Sequence, residues 1–323
     1  MFYNILYHVK IIFTYMINCM KKILLFGSKG LVGSSIYRNL SNNYQIFPSS
    51  RADTDLFNYH KTFETIKNVS PDLIINAAAK VGGIVANNTQ RTDFIIENLK
   101  INLNILESLK QFPNIEMINL GSSCIYPLNA DNPIKEEYIM SGKLEPTNSP
   151  YAMAKLSAIE IGKSITQEYG NKIINLMPTN LYGENDNFSP KDSHVIPGLI
   201  RRLCDAKENF ETEFKIWGSG KPLREFLYVD DLSYAIDFII KNNITLDLLN
   251  VGSGDEISIK NLAEIIKQII EFNGELTYDL SKPDGNPRKL LDTTKLNNLG
   301  WRPKISLENG LKKTVEWYLK NKN

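Results

Sequence analysis

The chain has 323 residues, 42% of them hydrophobic and 23% charged, with 37 basic residues against 36 acidic and three cysteines. A chain of that length makes about two domains and buries a full core unaided, which excludes a disulfide miniprotein. A net charge of +1 gives no electrostatic reason to expect nucleic acid or an anionic membrane, and Cys19, Cys124 and Cys204, odd in number and far apart, point to a reducing compartment.

Residues 1–20 form an apolar and aromatic stretch interrupted by Asn4, His8, Lys10 and Asn18. The stretch falls short of the ~20 uninterrupted apolar residues of a membrane span, and it lacks the charged start and small-residue cleavage site of a signal peptide. It reads as an N-terminal extension, with Met20 as the physiological start or residues 1–19 as a poorly packed tail. From Lys21 onward, short apolar runs alternate with amphipathic stretches, the pattern of βαβ units in a Rossmann-type, doubly wound α/β fold. ILLF (23–26), YQIF (44–47), DLIINAA (72–78), EMINLGS (116–122) and INLMP (174–178) are its expected strands, and residues 94–112 and 151–169 carry helical spacing. Past Leu181 come long loops, a helix at 230–242, a strand within 248–254, a helix at 258–272 and a basic loop at 281–289. The expected division is an NADP-binding domain over 21–181 and a smaller, mainly substrate-binding α/β domain over 182–323, with some segments returning to the sheet.

Gly27-Ser28-Lys29-Gly30-Leu31-Val32-Gly33 follows the first strand and opens a helix. Glycines there let backbone N–H groups approach a pyrophosphate at the helix N-terminus. The second strand ends at Ser50-Arg51, with Asp53 the first acid beyond it. A guanidinium satisfies a ribose 2′-phosphate that a carboxylate would repel, so NADP(H) is the expected cofactor. Tyr151 and Lys155 lie four residues apart, on one face of a helix. A phenol titrates near ~10 in water, and a neighbouring cation stabilises its anion, so this pair is expected to pass a proton to a ketone oxygen while hydride reaches carbon. Ser122 and Ser123 end an earlier parallel strand, where open sheets bind ligands.

The blocks NAAAKVGGIVANN (76–88), GSSCIYP (121–127), EPTNSPYAMAK (145–155), PTNLYG (178–183), SHVIPGLIRR (193–202), WGSGKPLREFLYVDD (217–231) and SKPDGNPRKLLD (281–292) carry a resemblance that runs from Lys21 to about Leu319. The chain resembles the extended short-chain dehydrogenases/reductases, and among them the GDP-L-fucose synthase family, whose members act as GDP-4-keto-6-deoxy-D-mannose 3,5-epimerase/4-reductases. The resemblance implies a reductive triad of Ser122, Tyr151 and Lys155 and assigns Cys124 and His194 to epimerisation. A C4 ketone acidifies the protons on C3 and C5, and thiol and imidazole titrate close enough to neutrality to exchange them; which of the two is base and which is acid stays open. The cofactor is implied to lie along Gly27, Ser28, Lys29, Gly30, Leu31, Val32, Gly33, Arg51, Asp53, Asp55, Leu56, Leu120, Gly121, Ser122, Ser123, Lys155, Pro178, Thr179, Asn180, Leu181 and His194. For the GDP-sugar, Arg202 and Arg224 are the diphosphate ligands, Trp217 flanks the guanosine and Asp284 bonds its ribose or base. Arg201 is ambiguous beside Arg202, Arg288 and Lys289 lie in the same region, and Lys80 with the Val81–Gly83 turn lines the pocket. Helices 94–112 and 151–169 are expected to pair in a homodimer through faces carrying Ile101, Leu106 and Ile165. No metal, nucleic acid or membrane is expected, and the location is the cytoplasm.

Three rivals are weaker. A 4,6-dehydratase of this fold needs an Asp-Glu pair where Ser123 and Cys124 stand. A 4-epimerase keeps its NAD bound, whereas Arg51 argues for an NADPH that exchanges. A non-enzymatic NADP sensor would not need the Tyr151–Lys155 pair.

Overall fold

The structure is a computed structural model that describes residues 20–282 and 284–322. The expected extension, residues 1–19, lies outside them. In chain order the first half runs β1 (Lys22–Phe26), α1 (Leu31–Leu40), β2 (Gln45–Ser49), α2 (Tyr59–Val69), β3 (Leu73–Asn76), α3 (Ile84–Thr89), α4 (Arg91–Leu109), β4 (Glu116–Leu120), α5 (Ser149–Tyr169) and β5 (Ile173–Pro178). The second half runs β6 (Asn180–Tyr182), α6 (Val195–Glu208), β7 (Glu213–Trp217), β8 (Leu223–Tyr228), α7 (Val229–Lys241), β9 (Leu248–Val251), β10 (Glu256–Ser258), α8 (Ile259–Ile270), β11 (Glu275–Asp279), β12 (Arg288–Lys289), α9 (Thr294–Asn298) and α10 (Leu307–Asn321).

Strands β1, β3, β4, β5 and β9 are almost wholly buried apolar runs, as expected of parallel strands covered by helices on both faces. They form a six-stranded sheet in the order β2-β1-β3-β4-β5-β9, with every pair parallel. Pro48 sits in β2, where the missing N–H costs nothing because β2 is the sheet edge. Helix α4 stops three residues short of the expected end, at Leu109, ahead of Pro113, which disfavours helix in the residue before it.

Register across the sheet is locked by buried asparagines. Asn76 Nδ2 donates to Asn119 Oδ1 at 3.2 Å, and Asn119 Nδ2 donates to Asn175 Oδ1 at 3.1 Å; both pairs are direct strand neighbours. Each such bond contributes about 1 kcal/mol, but a one-residue slip would strand buried amides at about 1–3 kcal/mol apiece.

The later chain does not stay apart from this sheet. Strand β9 supplies the sixth strand, and α7 packs with α1 in the core cluster that holds Ile23, Leu25, Leu232 and Ile236. The smaller unit has its own core of Leu199, Leu203, Phe214, Phe226, Leu262, Ile266 and Leu311. Its strands β10, β8 and β12, with β6 on β8, and the parallel pair β7–β11 form two small sheets beside the large one.

Candidate active site

The strand order reverses between β1 and β3, so the turns at their C-terminal ends diverge and leave a crevice. A cleft of about 610 Å³ opens there, walled by Gly27, Lys29, Gly30, Ser49–Arg51, Thr54–Phe57, Ala77–Lys80, Glu97 and Ile101. Gly27 has φ +78°, and a Cβ on it would stand 2.6 Å from Ala78 N, so only glycine brings the two turns this close. Gly33 packs under the same turn, where a Cβ would stand 2.1 Å from Gly27 O. Gly30 precedes α1 at its N-terminus and gives no side-chain cap, which leaves N–H donors for an anion.

The Arg51 guanidinium lies over the Phe57 ring at 5.1 Å, on the cleft wall. Asp53 turns back instead, accepting from Ser50 N at 2.8 Å and Ser50 Oγ at 2.6 Å. Those bonds hold its carboxyl below the usual range, and the cleft wall does not include it. Asp55 and Leu56 are on the wall, whereas Val32 faces the core. At the far end Lys80 pairs with Glu97 at 3.0 Å and lies 5.6 Å from the centre of the Phe94 ring, which meets Tyr151 edge-on at 6.3 Å.

Helix α5 carries Tyr151 and Lys155 toward the end of β4, both buried. Lys155 Nζ donates to Leu120 O at 2.7 Å, and burial lowers its pKa to about 8. Its ammonium lies 5.8 Å from the Tyr151 ring centre. The expected downward tuning of the phenol is not what this environment produces. Burial drives the Tyr151 pKa up, the Cys124 thiol adds to that, and only the Ser122 hydroxyl acts the other way. Desolvation penalises the phenolate more than the neighbouring cation, itself bonded to a carbonyl, favours it.

Ser122 caps a short 3-10 turn, accepting from Cys124 N at 3.2 Å. Cys124 packs against Ala86, Phe94 and Tyr151, and Lys289 Nζ stands 3.8 Å from its sulfur. Ser122, Cys124, Tyr151 and Lys155 are thus one cluster. Gly121 is buried, and a Cβ there would run into Met177. Thr179 and Asn180 are tied to Glu225 O at 3.2 and 2.8 Å, which fixes the Pro178–Leu181 stretch against β8. His194 opens α6, just after the Asp192–Ser193 backbone that meets Gly82 and Gly83. Its side chain reaches solvent, yet the protein crowding round it pushes its pKa down, which favours the neutral imidazole.

A second, separate wall comes from α6 (Arg202), β7 (Trp217), β8 (Arg224) and Asp284. Arg202 lies over Trp217 at 5.0 Å and Phe214 at 4.7 Å, and donates to Lys215 O at 2.5 Å. Arg224 donates to Asn286 O at 2.5 Å. Burial lowers the pKa of both guanidiniums. Asp284 accepts from Ser219 N and Oγ at 2.8 and 2.6 Å, and its charge also acts on Arg224. Arg202 with Trp217 and Arg224 with Asp284 are thus interacting pairs on this side. Arg201 turns to Asp205 at 3.2 Å. Arg288 pairs with Glu256 at 2.8 Å on the exposed side of β12, while its neighbour Lys289 points to Cys124. Strand alternation separates these two adjacent cations, and no local pattern marked Lys289 as the one beside the thiol.

The NAD dependent epimerase/dehydratase family matches residues 23–252. GDP-L-fucose synthase 1 of Arabidopsis thaliana is 46% identical over 302 residues, covering 93% of this chain and 94% of its own length. GDP-L-fucose synthase of Escherichia coli (strain K12) is 41% identical over 314 residues, covering 94% and 98%. Among solved structures, a GDP-L-fucose synthetase from Naegleria fowleri bound to NADP superposes with a TM-score of 0.83 at 28% identity, covering 93% of this chain and 94% of that one. By fold, by site and by likeness along nearly its whole length, the chain belongs to the NAD dependent epimerase/dehydratase family and, within it, to the GDP-L-fucose synthases.

Proposed function

We propose that this enzyme converts GDP-4-dehydro-6-deoxy-D-mannose to GDP-L-fucose, epimerising C3 and C5 and then reducing the C4 ketone at the expense of NADPH. The observation that carries this reading is the single cluster of Ser122, Cys124, Tyr151 and Lys155 with Lys289 against the sulfur. The cleft fits NADPH: Gly27, Gly30 and the uncapped start of α1 suit its pyrophosphate, and Arg51 suits the 2′-phosphate. When bound, that cofactor supplies hydride to C4.

The residues divide the proton work. Ser122 and Tyr151 donate hydrogen bonds to the C4 oxygen, polarising the ketone so that its flanking C–H bonds ionise. Cys124 and His194 remove and return those protons, and the Lys289 ammonium meets the negative charge left on sulfur once a proton is spent. Tyr151, held neutral by burial, then keeps its proton until an alkoxide, far more basic than a phenolate, forms at C4. The depressed pKa of Lys155 leaves it mostly charged at pH 7, and its ammonium favours charge transfer toward the phenol. Arg202 and Arg224 hold the diphosphate, with Trp217 and Asp284 at the nucleoside. The test is incubation with GDP-4-keto-6-deoxymannose and NADPH, with the product sugar read by NMR; recovery of the unreduced ketone, or of a 4-reduced sugar with C3 and C5 uninverted, refutes the reading.

We also place the enzyme in the cytoplasm as a homodimer. Cys124 and Cys204 are free, and no helix among the described residues is long and apolar enough to cross a membrane. Ile101, Leu106 and Ile165 cannot make the dimer face, because they lie in the core against β1, β3 and β4. The exposed large apolar residues of these helices include Ile96, Leu103 and Met153, and a dimer through them should dissociate on Leu103→Arg, read by light scattering.

A further inference from the structure

Cys124 and His194 come from separate loops, yet they must meet one sugar ring from its two sides. The lead-in to α3 touches the surroundings of both. At one end Gly83 N donates to Asp192 O at 3.0 Å, two residues before His194. A Cβ on Gly83 would stand 2.6 Å from the Ser193 carbonyl oxygen. At the other end Ala86 packs with Phe94 and Tyr151, the cluster against which Cys124 rests. Between them the buried Asn87 donates from Nδ2 to Gly82 O at 2.7 Å and Gly83 O at 3.1 Å, closing the turn from inside.

Backbone strain does not explain the glycine at position 83. Its φ of −66° and ψ of 179° suit any residue. What excludes a side chain is the approach of the Ser193 carbonyl, a backbone atom that moves only if the chain leading into His194 moves. At Gly82 the nearest atoms are instead side-chain atoms, Ala86 Cβ at 3.1 Å and Phe94 Cζ at 3.2 Å, less tight than the Ser193 carbonyl at Gly83.

We infer that the Gly82–Gly83 turn, clamped by Asn87, is the positioning element of the epimerisation step, setting the separation between His194 and the cluster that holds Cys124. The inference rests on the epimerisation roles proposed above. It predicts that the two half-reactions respond separately to one methyl group. Exchange of solvent deuterium into C3 and C5 of the 4-keto substrate, without NADPH, needs Cys124 and His194 at their correct spacing. Oxidation of GDP-L-fucose by NADP+, the reverse of the reductive step, needs Ser122, Tyr151 and Lys155 and leaves C3 and C5 alone.

Gly83→Ala should slow deuterium exchange at least about tenfold more than it slows GDP-L-fucose oxidation, since misplacement by an ångström costs up to about 10²-fold. Gly82→Ala should slow exchange less. Asn87→Ala, which adds no bulk, tests the same turn should Gly83→Ala not fold, and it too should slow exchange more than oxidation. Parallel losses in the two reactions, or no loss in either, overturn the positioning role. His194→Asn measured alongside keeps the two ideas apart: if it abolishes exchange while the turn variants do not, only the positioning role fails. If it exchanges normally, the epimerisation assignment fails and this inference with it.

Discussion

On the sheet-side wall Tyr151 and Lys155 are 8% and 2% exposed, whereas on the second wall Trp217 is 53% exposed and the Arg202 and Arg224 side chains are half-buried. The first wall is carried by α5 against the end of β4 and changes the chemistry of its groups by burial: one phenol pushed up, one ammonium pushed down. The second wall is pinned by side chains bonded to backbone carbonyls, Arg202 to Lys215 and Arg224 to Asn286. Burial lowers the pKa of its guanidiniums as well, but from so high a value that they keep their charge. The difference teaches where each kind of work belongs. Proton transfer gains from a dry site in which pKa values are displaced, while recognition of a doubly charged diphosphate gains from cations that remain partly hydrated until the ligand arrives.

The contrast is most exposed to failure at Tyr151. Tyr151→Phe should cut ketone reduction by about 10²–10⁴-fold while NADPH still binds by fluorescence titration; a preserved rate would remove the proton donor from the buried wall. Lys155→Met sharpens the same point through stability. The folded pKa of about 8 lies below the ordinary value of 10.5, so between those pH values the unfolded chain holds more protons and stability rises with pH. Below pH 8 the buried ammonium is a constant cost. Lys155→Met should therefore lose turnover yet melt a few degrees higher than the native chain at pH 7, with the gap narrowing toward pH 10. A lower melting point at pH 7 would mean that the Leu120 bond outweighs the desolvation.

On the open wall, Arg202→Ala should raise KM for the GDP-sugar about 10- to 100-fold and leave kcat within about threefold, as expected for losing a charged hydrogen bond used equally in ground and transition states. A loss confined to kcat would erase the division between the walls. The smallest effect is expected at the exposed Arg51, where Arg51→Ala should raise KM for NADPH about tenfold and barely change that for NADH.

Much of this was legible in the sequence because it is local. The glycine turn after β1, the Tyr151–Lys155 spacing on a helix face and the serine at the end of β4 each depend on a few consecutive residues whose geometry the backbone imposes. The same spacing misled on the dimer face: Ile101, Leu106 and Ile165 do lie on α4 and α5, but both helices are covered on more than one side, and a periodic pattern does not say which side the sheet takes. The direction of the Tyr151 shift was missed for a related reason. A cation four residues away is visible in the sequence, but the apolar surroundings that outweigh it are assembled from α3, α4 and the 3-10 turn.

Sequence alone determined the six strands of the large sheet, the glycine turn and the Tyr151–Lys155 spacing, since each follows from residue type and short-range geometry, whereas Cys124 and His194 were singled out by family resemblance alone. Tertiary structure decided what those groups experience. Lys289 reaches Cys124, Arg288 does not, and Arg224 meets Asn286 and Asp284 only because β12 lies alongside β8. Hydrogen-bond partners and burial belong to contacts between distant segments, and those exist only once the chain has packed.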